Sequence, residues 1–331
     1  MTKKLDQSTI LITGGAGFIG SNLAFYFQKF YPNSRIVIFD CFRSGDTFDN
    51  GNLKSFGHYK NLIGFTGEII CGDINNPDDL ERLHNYKFDY IFHHAAISDT
   101  RVYDQNIVFS TNINSFDFFL NKARKDKSCL IYASSAATYG NMKSPQTVGY
   151  ENPENPYGYS KYNMDMVAKK FTIMNPETRI IGLRFFNVYG PGEFYKNTTS
   201  SMVIQLGHQI LDGKAPRLFD NSDKIYRDFV YIKDVIQANI LSMNLKGSGV
   251  FNVGFGIARS FQEISDILQK QLNTNLGNDY FRNPYDGYQL HTCANIEETT
   301  KKLNYQPKYT LELGIKDYIP EIIRLHNQPK D

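Results

Sequence analysis

The tightest constraint on this chain is a glycine-rich loop near its start. The apolar run Thr9-Ile10-Leu11-Ile12-Thr13 ends at Gly14-Gly15-Ala16-Gly17-Phe18-Ile19-Gly20, and a helical pattern continues to Phe30. A buried strand that turns over glycines directly into a helix leaves the first N–H groups of that helix unpaired and pointing at one spot. The Gly14-x-x-Gly17-x-x-Gly20 spacing lets the backbone turn tightly and approach a pyrophosphate. Such a motif is weak alone. Here Arg35-Ile36-Val37-Ile38-Phe39-Asp40 reads as a second strand, and Asp40 falls 20 residues after Gly20, where a carboxylate can hold a ribose hydroxyl. Strand, loop and acid together predict a dinucleotide-binding βαβ unit.

The same rhythm continues. Gly67-Glu68-Ile69-Ile70, Tyr90-Ile91-Phe92-His93, Cys129-Leu130-Ile131-Tyr132 and Arg179 to Phe185 are further strand candidates, several of them apolar throughout. Unbroken apolar strands separated by helical lengths suit a parallel sheet covered on both faces. The expected fold is α/β, a doubly wound parallel sheet over residues 1–187. After Pro191 the pattern changes. Helices are predicted near 201–211 and 232–243, Arg227 to Tyr231 lies between them, and Gly249 to Gly254 reads as a short strand. The tail is helical near 260–272 and 312–326. A second, smaller α/β substrate domain is expected from 188–228 and 258–331, with a segment near 229–257 returning to the first.

Composition removes several classes of function. Lys+Arg number 36 against 34 Asp+Glu, a formal charge of +2, which argues against a dedicated nucleic-acid binder. No apolar run reaches the length of a membrane span. The N-terminal residues do not read as a signal peptide. Four separated cysteines, 41, 71, 129 and 293, with no CxxC pair, read as free thiols of a cytoplasmic protein. His93-His94 has no third ligand at useful spacing, so no metal is expected.

Tyr-x-x-x-Lys puts both side chains on one helix face. In a chain with 22 Tyr the spacing arises by chance, and it occurs twice, at Tyr139/Lys143 and Tyr157/Lys161. Setting separates them. Tyr139 stands in Gly/Pro-rich loop sequence, whereas Tyr157 follows Asn155-Pro156 and opens a helical pattern with Met164, Val167, Ala168 and Phe171 as its apolar stripe. A phenol is about 0.1% ionised at pH 7, and a nearby ammonium should lower its pKa by roughly 1–3 units. A phenol so tuned can take a proton from an alcohol as hydride leaves its carbon. Ser134-Ser135, ending a predicted strand, stands where ligands of parallel sheets collect.

With these residues in view, TGGAGFIG (13–20), HAA (94–96), SSAATYG (134–140), YGYSK (157–161), RFFNVYGP (184–191) and RDFVYIKDV (227–235) resemble the extended short-chain dehydrogenase/reductases that epimerise or dehydrate nucleotide sugars. The resemblance implies a catalytic set of Ser135, Tyr157 and Lys161. It also implies cofactor contacts at Gly14, Gly17, Phe18, Ile19, Gly20, Asp40, Cys41, Arg43, Lys60, Asp73, Ile74, His94, Ala95, Ala96, Ile97, Ser98, Asn112, Lys161, Val188 and Lys196. The cofactor implied is NADP, with NAD as the alternative: Asp40 would repel a 2′-phosphate, while Arg43 three residues later could clamp one.

The 4,6-dehydratases of this group carry acids just after the catalytic hydroxyl; here Ala136 and Ala137 stand there. Greater similarity, over most of the chain, is to the ADP-L-glycero-D-manno-heptose 6-epimerases of lipopolysaccharide core precursor synthesis. That resemblance implies an ADP-heptose as the nucleotide-sugar partner and a homo-oligomer, a pentamer in the family. It places a second acid/base on Lys196, and substrate contacts on Ser135, Asn187, Gln205, Phe219, Asp220, Asn221, Ser222, Arg227 and Tyr288. Gly192 stands where that family has Arg. The competing readings are a UDP-hexose 4-epimerase, a GDP-heptose-modifying relative, and a dinucleotide-binding regulator without turnover.

Overall fold

The computed structural model describes residues 5–284 and 289–328. Its strands are β1 (Thr9–Thr13), β2 (Arg35–Asp40), β3 (Glu68–Cys71), β4 (Tyr90–His93), β5 (Cys129–Ser135), β6 (Arg179–Phe185), β7 (Asn187–Tyr189), β8 (Arg217–Phe219), β9 (Tyr226–Tyr231), β10 (Gly249–Val253), β11 (Ala258–Ser260) and β12 (Asp279–Phe281). Seven form one sheet in the order β10-β6-β5-β4-β1-β2-β3, and every pairing in it is parallel. This is the doubly wound arrangement expected, and Gly249–Val253 supplies its seventh strand.

The apolar strands follow from the strand period of two. Ile10, Ile12, Ile36, Ile38, Ile181 and Leu183 pack on one face, in a core that includes Leu23 and Phe27 of the helix Phe18–Phe30. Leu11, Val37, Phe39, Leu130, Tyr132 and Ile180 pack on the other, against the helices Ser115–Asp126 and Pro156–Met174. With helices on both faces, neither set of side chains meets water.

The first of these cores runs on unbroken into the helices Met202–Leu211, Phe261–Gln271 and Leu311–His326. β9 lies between β7, to which it is parallel, and β11, to which it is antiparallel; β8 and β12 form a separate parallel pair. Helix Phe18–Phe30 begins inside the Gly14–Gly20 loop, because Gly17 already has the extended geometry of a cap.

Candidate active site

Strand order reverses between β1 and β4, and the carboxyl ends of the strands open there into a cleft of about 540 Å³. This is where ligands of open parallel sheets bind. Gly14, Gly17, Phe18, Ile19 and Gly20 line it, with Asp40 and Cys41 after β2, Asp73 and Ile74 after β3, and His94 to Ser98 after β4. Ser135, Tyr157, Lys161, Asn187, Val188 and Lys196 complete the expected set found there.

The loop fits a dinucleotide. Gly14 has φ +68°, and a Cβ on Gly20 would stand 2.2 Å from the Gly14 carbonyl oxygen, so the turn admits no larger residue. Gly17 caps the helix with no side-chain hydrogen bond, leaving the positive end of the helix to an anion. Asp40 is bound into the loop, its carboxylate accepting from the Ala16 N–H at 2.9 Å and the Phe42 N–H at 2.8 Å. Burial pushes its pKa up and those two N–H groups pull it down.

Helix Pro156–Met174 starts where the sequence indicates: Pro156 occupies its first turn, and the Asn155 side chain accepts from the Gly158 N–H at 2.8 Å. Tyr157 and Lys161 therefore face the cleft one turn apart. The Lys161 Nζ lies 6.0 Å from the centre of the Tyr157 ring and donates to the Ala133 carbonyl at 2.7 Å. Burial lowers the Lys161 pKa to about 8 against the pull of Asp165. The phenol differs from expectation. Burial raises the Tyr157 pKa, and what opposes this is its hydrogen bond with Ser135, not the ammonium.

Asn112 sits in a π-helical turn, Ser110–Asn114, and braces the site instead of lining it. Its side chain accepts from the Ile97 N–H and donates to the Ile97 carbonyl and the Ser160 hydroxyl, each at 2.9 Å. One amide thus ties the loop after β4 to the helix carrying Tyr157. Behind the same helix lies a buried ion network. Asp165, one turn beyond Lys161, accepts from the Tyr132 hydroxyl at 2.8 Å, the Ser134 hydroxyl at 3.0 Å and the Arg184 guanidinium at 2.8 Å. Arg184 also pairs with Glu151 at 2.5 Å.

Lys196 belongs to a short helical stretch, Phe194–Thr199, that reverses at Asn197, where φ is +53°. Burial lowers its pKa, while Glu193 and Asp99 raise it. Its neighbour Tyr195 stacks on His58 with centroids 3.9 Å apart, and its carbonyl accepts from Arg43. Arg43 therefore points at the Lys196 segment and does not line the cleft; Lys60, near the Tyr195 ring, also lies outside the lining.

The expected sugar contacts divide. Asn187 lines the cleft. Gln205 is outside the lining, donating to the Ser200 carbonyl at 2.7 Å. Phe219 ends β8, paired with Phe281 of β12 and packed edge-on to it, and Asp220, Asn221 and Ser222 follow. Arg227 is 6% exposed, donates to the Tyr226 and Gln289 carbonyls, and stands behind Phe261, which does line the cleft. Tyr288 lies outside the described residues. Lys54 to Gly57, Asp99, Thr111, Phe186, Thr199 to Met202 and Phe229 line the cleft without having been singled out by sequence reasoning. Phe186 and Phe229 fall inside the quoted motifs RFFNVYGP and RDFVYIKDV without having been given a role; the rest reach the cleft from segments distant in the chain.

A family model described as the NAD dependent epimerase/dehydratase family matches residues 10–254. The ADP-L-glycero-D-manno-heptose-6-epimerase of Helicobacter pylori is 50% identical over 98% of both chains, with a TM-score of 0.88. UDP-glucose 4-epimerase of Thermotoga maritima is 26% identical, covering 96% of this chain and 98% of its own, with a TM-score of 0.84. UDP-glucuronic acid 4-epimerase of Bacillus cereus, solved with UDP-glucuronic acid and NAD, is 25% identical over 96% of this chain and 99% of its own, with a TM-score of 0.81. A glycine cradle, a Tyr–Lys helix and a family match spanning most of the sequence lead to one conclusion: the chain belongs to the NAD dependent epimerase/dehydratase family.

Proposed function

We propose that this protein inverts C6″ of an ADP-heptose, converting the D-glycero to the L-glycero form with NADP as a bound, recycled cofactor. The observation that carries the reading is Lys196 in the same cleft as Ser135, Tyr157 and Lys161, in a chain half identical to a heptose epimerase. When bound, the nicotinamide supplies a reversible hydride acceptor. Inversion by oxidation and reduction requires the carbonyl at C6″ to present its other face before hydride returns. Its oxygen then points elsewhere, and one acid/base cannot reach both positions. Tyr157 serves one oxygen position, taking or giving its proton while the Ser135 hydroxyl holds that oxygen. Lys196 serves the other. Lys161 and the Asn112 brace keep Tyr157 in place.

Residues 1–187 with the returning segment 229–257 form the dinucleotide-binding unit in this reading, and 188–228 with 258–331 the substrate unit. The preference for NADP is supported by Lys54 in the cleft lining, while both Asp40 oxygens are engaged by backbone N–H groups. The test supplies ADP-D-glycero-heptose and UDP-glucose separately and follows each sugar by proton NMR, after releasing the retained cofactor by denaturation and weighing it. Inversion at C6″ with NADP released is the expected result. Conversion of UDP-glucose at C4 with the heptose untouched would overturn it.

A further inference from the structure

We propose that Glu193 is a positioning residue that holds Lys196 in the reaction cleft and sustains its positive charge; this rests on Lys196 acting as the second acid/base. Glu193 is wholly buried, at 0% exposure, in the loop that joins β7 to the helix Met202–Leu211. Its carboxylate closes that loop from inside. One oxygen accepts from the Gly190 N–H at 3.0 Å and from the Ser201 hydroxyl at 2.8 Å, and the other accepts from the Ser201 N–H at 2.5 Å. Gly190 and Ser201 are the two ends of the excursion, and Lys196 is at its middle. The Lys196 N–H also donates to the Glu193 carbonyl at 2.9 Å, so the side chain clips the ends while the backbone starts the turn.

A carboxylate is expensive to bury, and this one is held by the donors with which it closes the loop. An amide cannot do the same work. In either orientation its NH2 group would face the Gly190 or the Ser201 N–H, and one backbone donor would lose its acceptor. The charge also acts on Lys196: Glu193 in its own loop and Asp99 in the segment after β4 both favour its ammonium, which lies 5.9 Å from the centre of the Phe18 ring. Glu193 in turn is faced by Lys196 and by the phenols of Tyr189 and Tyr318. Removing one of the two acids that, among the described residues, favour the ammonium inside a buried site should let Lys196 lose its proton at lower pH.

The experiment compares Glu193→Gln with Ser201→Ala, which loosens the same clip but keeps the charge. Lysine labelled at the ε-carbon reports the Lys196 titration by NMR, its signal identified by its loss in Lys196→Met. The expected result is a midpoint about one unit lower in Glu193→Gln and unchanged in Ser201→Ala. The alkaline limb of kcat for ADP-heptose epimerisation should move down by the same amount in Glu193→Gln alone. An unmoved midpoint and limb in Glu193→Gln, alongside an inactive Lys196→Met, overturn this inference and leave the role of Lys196 intact. A Lys196→Met chain that epimerises at the full rate overturns that role and this inference with it.

Discussion

Arg184→Met tests whether the reaction centre rests on a buried charge. The guanidinium is 1% exposed and is shared between Asp165, at 0%, and Glu151, at 9%. Met fills much of the same volume without charge, and the Asp165 carboxyl then keeps only the Tyr132 and Ser134 hydroxyls. Breaking a buried pair from one side costs about 3–5 kcal/mol. Protonation of Asp165 sets a ceiling, because neutralising an ordinary carboxyl takes about 4 kcal/mol at pH 7 and about 1.5 kcal/mol at pH 5. Burial already pushes the Asp165 pKa up, and Arg184 is the first of the influences that oppose it. Without Arg184 the folded-state pKa lies further above the unfolded one. The folded variant then holds a proton that the unfolded chain releases, and stability is lost as pH rises through the folded pKa. Urea unfolding should show a deficit of at most about 1.5 kcal/mol at pH 5 that widens toward pH 7, where its ceiling is about 4 kcal/mol. A deficit that stays flat over that range, or below about 1 kcal/mol throughout, would refute the reasoning and make Arg184 a packing residue.

Three further outcomes follow from the geometry. Tyr157→Phe should lower kcat by at least about 100-fold while the chain still retains its dinucleotide, measured by turnover and by mass spectrometry of the denatured protein; undiminished turnover would remove the phenol from the reaction. Gly20→Ala should abolish dinucleotide retention, because the new Cβ meets the Gly14 carbonyl oxygen at 2.2 Å; a cofactor-loaded variant would show that the cradle is not where the diphosphate sits. Glu312 is held at about pKa 2 by Arg259, so its contribution is present above its ordinary value of 4.5 and is lost as pH falls through 2. Glu312→Gln should therefore unfold in acid with a shallower pH dependence in that window, and an unchanged slope would count against the pair.

Much of this was legible from residues close together in the chain. The glycine cradle, the strand-ending Asp40, the Asn155-Pro156 helix start and the Tyr157/Lys161 pair are local patterns, because a turn, a cap or an i,i+4 pair is set within a few residues. The Tyr139/Lys143 decoy separated for the same reason, standing in Gly/Pro-rich sequence with no helix start before it; tertiary contact then engages the Tyr139 hydroxyl with Asn252 at 2.5 Å. Residues whose position depends on distant chain were not legible. Arg43 reads as a clamp on a 2′-phosphate, and no local pattern announces that its guanidinium also donates to the carbonyl of Tyr195, 152 residues away. Gln205 reads as a sugar contact, but a carbonyl five residues earlier holds it.

What the sequence determined alone was the sheet and the cradle, since periodicity and local spacing carry both. What only the tertiary structure decided was electrostatic. The direction of the Lys161 ammonium, the elevated phenol of Tyr157 and the enclosure of Glu193 and Asp165 depend on which groups lose water when separate segments meet. Desolvation is a property of the packed surroundings, and no short stretch of sequence contains it.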